Sequence, residues 1–122
     1  MIKAYLLYTG ADGHSHVTSG RVSQGGSVQV QSIHFEETPA HSALDWHNAP
    51  VDQYVITLAG ILEFKTMGGE TFTIYPGDVL IARDLTGSGH QWRLVNDEPW
   101  KRAYVIFKED ADTHFVPDPV HD

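Results

Sequence analysis

Glycine and proline punctuate this chain so densely that a fold built on long helices is excluded. Eleven Gly and six Pro in 122 residues divide it into short segments, few of which repeat apolar residues at helical spacing for three turns. The remaining pattern is the period-two alternation of strands. Residues 3–9 lead into the turn-forming Gly10-Ala11-Asp12-Gly13, followed by 14–19, with breaks at Gly20 and Gly25-Gly26. Residues 27–35 alternate cleanly: Val28, Val30, Ser32 and His34 share one face, and Gln29, Gln31, Ile33 and Phe35 the other. After Pro39 a short segment runs to His47, then an irregular Asn48-Ala49-Pro50 precedes 53–59. Gly60 is expected to bend or bulge that strand before 61–66 continues. Met67-Gly68-Gly69-Glu70 is a hairpin signal between 61–66 and 71–75. Pro76-Gly77-Asp78 turns the chain into 79–83, the loop 84–89 delivers it to His90, and 91–95 and 101–107 complete the set. About ten short strands with regular turns predict an antiparallel sandwich or barrel.

Length and composition narrow the function classes. A chain of 122 residues affords one domain with one sizeable core. Sixteen Asp and Glu against eight Lys and Arg leave a formal charge of -8, which disfavours phosphate backbones and anionic membranes; no nucleic acid and no membrane is the expectation. Cysteine is absent, so disulfides, thiolate nucleophiles and Cys-ligated metals are excluded, and any metal must be held by N or O ligands. The apolar stretch 4–9 is too short for a signal-peptide core, and the longest strongly apolar run, 54–62, cannot span a bilayer, which predicts a cytoplasmic protein. In Tyr54-Val55-Ile56-Thr57-Leu58 both parities are apolar, so one face needs a cover outside the main core: the chain's own N-terminal segment or a second subunit. From Lys108 the chain is acidic and carries two prolines, and 108–122 is expected to be a loose C-terminal tail or a strap.

The informative stretch runs from Asp45 to His90: Asp45-Trp46-His47-Asn48-Ala49-Pro50-Val51-Asp52-Gln53, then Gly60, Pro76-Gly77-Asp78 and His90. It resembles the cupin superfamily. Gln53, with six residues between it and Gly60, falls where that family's first motif has Glu. Gly77 resembles the opening Gly of the second motif, and His90 its His. The sequence departs from the pattern in several places. His41 stands where the first motif has Gly. Aligning His47 with the first motif His puts Ala49 at the second, unless the turn at Pro50 has gained a residue and Asp45 and His47 form the pair. Arg83, Leu85 and Leu94 stand at the Pro, Gly and Asn positions of the second motif. The resemblance implies a single all-β domain over 1–122, an antiparallel jelly-roll barrel, in a homodimer.

A barrel interior lets ligands from separate strands converge, and His47, Gln53 and His90 lie at strand edges suited to that. Two imidazoles and an amide oxygen are a neutral set, better suited to Zn, Ni, Fe or Mn than to Ca or Mg. Asp45 would supply charge by coordinating the ion or by hydrogen-bonding a ligand. Open metal positions would take water or a small organic substrate, as in isomerase, lyase, cyclase or oxygenase chemistry. Within the superfamily, Gln-containing sites resemble those of some sugar-converting and cyclising members. Asp45 or Tyr104 would handle protons, and Trp92, sharing His90's parity, would line the substrate cavity. The competing expectation is a metal-free cavity that binds or senses a small ligand without turnover; a purely structural dimer module is a third. His14-Ser15-His16 is expected to be a surface pair, His34 a satisfied core histidine, and Trp46 to point outward.

Overall fold

The computed structural model describes residues 1–119. Eleven strands and no helix occur among them: β1 (Ile2–Thr9), β2 (Ser15–Val22), β3 (Val30–Thr38), β4 (Ala43–His47), β5 (Gln53–Ala59), β6 (Leu62–Thr66), β7 (Thr71–Ile74), β8 (Val79–Arg83), β9 (His90–Leu94), β10 (Trp100–Phe107) and β11 (Phe115–Pro117). Consequently no helix among the described residues is long and apolar enough to cross a membrane.

The expected barrel is not closed by hydrogen bonds. The strands divide into a seven-stranded sheet in the order β11-β2-β1-β8-β5-β10-β3 and a four-stranded sheet in the order β4-β9-β6-β7. Nor is the pairing wholly antiparallel, because β1 lies parallel to β8, with Leu6 opposite Ile81. Parallel neighbours need a long connection, and here residues 10–78, more than half of the chain, lie between them.

Both sheets contribute to one core. Leu7, Val55, Leu80 and Trp100 of the larger sheet meet Leu62, Phe64, Ile74, Trp92 and Leu94 of the smaller. Leu7, Leu62 and Ile74 are essentially removed from solvent, which stabilises by roughly 1.5–3 kcal/mol per side chain. The hairpin expected at residues 67–70 forms as β6–β7, with Phe64 opposite Phe72 and their rings stacked at 5.1 Å. Gly60 ends β5 with φ of 95°, and a Cβ there would lie 3.0 Å from the Pro99 carbonyl oxygen. Left-handed backbone and close approach both favour glycine at that position.

The two-faced apolar strand finds its cover within the chain. Ala4, Tyr54, Val79, Ile81, Val105 and Phe107 form a second cluster on the outer face of the seven-stranded sheet, with Ala111 and Phe115 packed against it. The expected loose tail of 108–122 is therefore a strap over 108–119. Pro117 pairs with Gly20 through β11 and β2, and the Tyr54 hydroxyl donates to the Thr113 carbonyl at 2.6 Å. Apolar Phe115 and that buried hydroxyl give the acidic segment something to hold; residues 120–122 lie outside the described part. The opposite end of the same sheet is open. β3 begins at Val30, later than the alternation suggested, and is an edge strand on which Ile33 and Phe35 are 57% and 68% exposed.

Candidate functional site

A cavity of about 520 Å³ lies between the sheets, and His47, Gln53, His90, Trp92 and Tyr104 all line it. Its apolar walls include Val55, Phe64, Leu80 and Trp100. The strands deliver these side chains by parity. His90 and Trp92 are alternate residues of β9, and Trp100, Arg102, Tyr104 and Ile106 are alternate residues of β10 that face the same space.

His47 and His90 are directly opposite across the β4–β9 pair, with ring centroids 4.3 Å apart and planes inclined at 59°. Each ring is held by its Nδ1. That of His47 donates to the Asp45 carbonyl at 2.7 Å, and that of His90 donates to the Asp84 carboxylate at 2.7 Å. A carbonyl can only accept, so the neutral His47 imidazole keeps its free lone pair on Nε2; the Asp84 bond selects the same tautomer for neutral His90. Burial pushes the His47 imidazole below its ordinary pKa of 6.5; the Asp45 carbonyl opposes this, His90 adds to it, and Asp84 opposes it. Gln53 is buried at the start of β5, and among the described residues no hydrogen bond claims its carboxamide.

Asp84, which the sequence reading left in a loop, anchors the site. Its side chain is 0% exposed. It also accepts from the Ser15 hydroxyl at 2.8 Å and from the Ala49 amide at 3.3 Å. Ser15 in turn accepts from the Gly89 amide at 2.9 Å. Asn48 ties the loop before β5 to the loop after β8, donating to the carbonyls of Asp84 and Gly87 at 2.9 and 2.8 Å. Gly89 has φ of 91°, and a Cβ there would lie 3.0 Å from the His47 carbonyl oxygen, so the approach of β9 to His47 needs glycine.

Other expected residues are placed differently. The Asp45 carboxylate is not among the groups lining the cavity. It accepts from the Trp46 amide at 2.9 Å and borders a depression with Glu63, Lys65 and Arg93. The cause is an irregularity in β4 between Leu44 and His47, which breaks the i, i+2 relation between Asp45 and His47. Trp46 is exposed, as anticipated. His34 is no buried core residue: it lines the cavity mouth and stacks on Tyr104 at 5.0 Å. In His14-Ser15-His16 the middle residue is the buried one. His16 is bound by Asp12 and Glu70, each at 2.8 Å.

Arg102 was not anticipated. It is buried beside the cavity, with its guanidinium 4.0 Å from the Trp100 ring centroid. Its Nε donates to the Tyr104 hydroxyl at 3.1 Å, and its Nη1 to the Thr38 hydroxyl at 2.6 Å and the Trp100 carbonyl at 3.2 Å. Its inward direction follows the regular alternation of β10, since the irregularity against β5 leaves Leu58 of β5 as the extra residue; a charged side chain at that parity is ordinarily read as solvent-facing.

No family model matches the chain, and no curated protein matches it. Among solved structures, one similar chain is a conserved protein of unknown function from Streptococcus pyogenes, at 21% identity over 68% of this chain and 72% of that chain, with a TM-score of 0.45.

Proposed function

We propose that this is a small cupin-like protein of jelly-roll type that binds a divalent transition metal, Zn, Ni, Fe or Mn, through His47, His90 and Gln53, and a small organic molecule beside it. The observation carrying this reading is the fixed pair of opposed imidazoles, each held at Nδ1 with Nε2 left to act as a ligand. The donor chemistry fits: two imidazole nitrogens and a carboxamide oxygen are a neutral set for a borderline cation. The Asp84 carboxylate behind His90 supplies the negative charge the set lacks and fixes the orientation of that ring. When bound, the ion would supply Lewis-acid or oxygen chemistry. The chain's own residues orient the substrate: Trp92 and Trp100 offer flat apolar walls, and the Tyr104 hydroxyl is the proton-handling group that remains within the cavity. Asp45 is left without that role.

Metal analysis of tag-free protein beside a His47→Ala/His90→Ala double variant tests the reading. Stoichiometric metal in the parent and none in the variant is the expected result. If the parent carries no metal and no first-row divalent ion raises its melting temperature, metal binding is refuted and the cavity serves a ligand without a metal. A saturating ion at about 100 times its Kd would add about 2.7 kcal/mol, so a real site cannot escape a thermal measurement.

The expected homodimer belongs to the same proposal, with a second copy pairing along β3. Its free edge and its exposed Ile33 and Phe35 suit self-complementary antiparallel pairing about a two-fold axis. Phe35→Glu should convert the dimer to a monomer by light scattering; an unchanged mass rejects this interface.

A further inference from the structure

Arg102 has more hydrogen-bonding capacity than its neighbours use. A guanidinium carries five N–H groups. Tyr104 takes the one on Nε, and Thr38 and the Trp100 carbonyl take the two on Nη1. The remaining two are on Nη2, whose nearest anion is the Glu36 carboxylate at 3.7 Å, an ion pair longer than a hydrogen bond. Glu36 is directly opposite Arg102 in the β3–β10 pair, and its side chain is 53% exposed while that of Arg102 is 7% exposed. No fully buried polar side-chain atom lacks a partner among the described residues, so Nη2 keeps some accessible surface; Arg102 lines the cavity and, on its other side, a shallower depression with Phe35, Glu36 and Leu58. The charge is thus fixed in place, stacked on Trp100, and incompletely neutralised by a group that is free to swing into water.

Resting on the reading of this cavity as a small-molecule site, we propose that its ligand is a small carboxylic acid whose carboxylate is taken by the Nη2 edge of Arg102, displacing Glu36. A carboxylate oxygen can take one charge-assisted hydrogen bond from Nη2, and a monoanion matches the single positive charge there. A phosphate dianion does not, because a single cation beside Glu36, in a chain of net charge -8, offers too little compensation. The remaining walls, among them Val55, Phe64 and Trp92, call for an apolar body on that acid.

The test uses matched acid and amide pairs, 3-phenylpropionate, indole-3-acetate and 4-methylpentanoate against their primary amides, with inorganic phosphate as a further probe. Binding is read by calorimetry and thermal shift, with and without zinc. At least one acid should bind about tenfold or more tightly than its amide, and phosphate should not compete. Arg102→Gln should abolish the preference, and Arg102→Lys should retain only part of it. Glu36→Gln lies at an exposed position and keeps the fold, so it guards against a destabilised Arg102 variant; it should tighten acid binding several-fold. Equal binding of acid and amide, no binding of any pair, phosphate competition, or indifference to Glu36→Gln overturns the proposal. The His47→Ala/His90→Ala variant separates it from the metal reading. If metal is lost there and the acid preference survives, the Arg102 site stands alone. If the preference vanishes there but survives Arg102→Gln, the carboxylate is held at the histidines and the proposal fails.

Discussion

The carboxylate of Asp84, fully withdrawn from solvent, holds Nδ1 of His90 at 2.7 Å and the Ser15 hydroxyl at 2.8 Å through the same oxygen. Its other oxygen accepts the Ala49 amide. Asp84→Asn must therefore turn an NH2 group toward at least one donor, whichever way the amide is set. Stability should fall by about 1–3 kcal/mol, read by urea unfolding. Zinc affinity should fall about 10–100-fold in a chelator competition. Unchanged zinc affinity would dissociate Asp84 from the metal reading.

Gly89 sets the approach of the two imidazole strands. Alanine there combines a left-handed φ of 91° with a Cβ 3.0 Å from the His47 carbonyl oxygen. Gly89→Ala should cost about 1–3 kcal/mol and weaken metal binding, because β9 would have to move away from His47. Equal loss of stability with full metal affinity would show that the register of the two rings tolerates that movement.

His16 gives the fold a pH dependence remote from the cavity. Hydrogen bonds that it donates to the carboxylates of Asp12 and then Glu70 raise its pKa above the ordinary 6.5, against the opposing effect of burial. The folded state therefore binds the proton more tightly than the unfolded chain. That contribution is fully present below pH 6.5 and is lost as pH rises through the raised folded pKa. His16→Gln should flatten the decline in urea midpoint over that alkaline limb and leave a difference from the parent that is largest under acidic conditions. A parallel offset at every pH would contradict the linkage.

Trp100 donates its indole N–H to the Thr57 hydroxyl at 3.1 Å inside the core. Thr57→Val keeps the shape and removes the acceptor. A loss of about 1–3 kcal/mol is expected, with a shift in tryptophan emission reporting the stranded donor.

Much of the site was legible because side-chain parity survives in regular strands. His90 and Trp92 share a face of β9, and Gln53 opens β5, so their convergence followed from alternation. The failures have different causes. The break between Leu44 and His47 turned Asp45 outward, whereas Arg102 keeps regular alternation with Trp100 and Tyr104 and was missed because a charged side chain is ordinarily read as solvent-facing. Asp84 and Ser15 act through burial and a shared hydrogen bond across 69 residues of sequence, a relation that spacing does not encode. The two-sheet division was hidden for the same reason: β1 and β8 are neighbours only once the intervening chain has folded back.

The strap also dictates the order in which the molecule can be finished. During synthesis, a nascent chain that has not yet reached Phe115 leaves the outer edge of β2 without its partner and Tyr54 and Phe107 without part of their cover. Such unpaired edges and bare aromatic surfaces invite association with other chains. The strap is therefore a latch, closing only after the ribosome has delivered both sheets and the first strands have waited for β11.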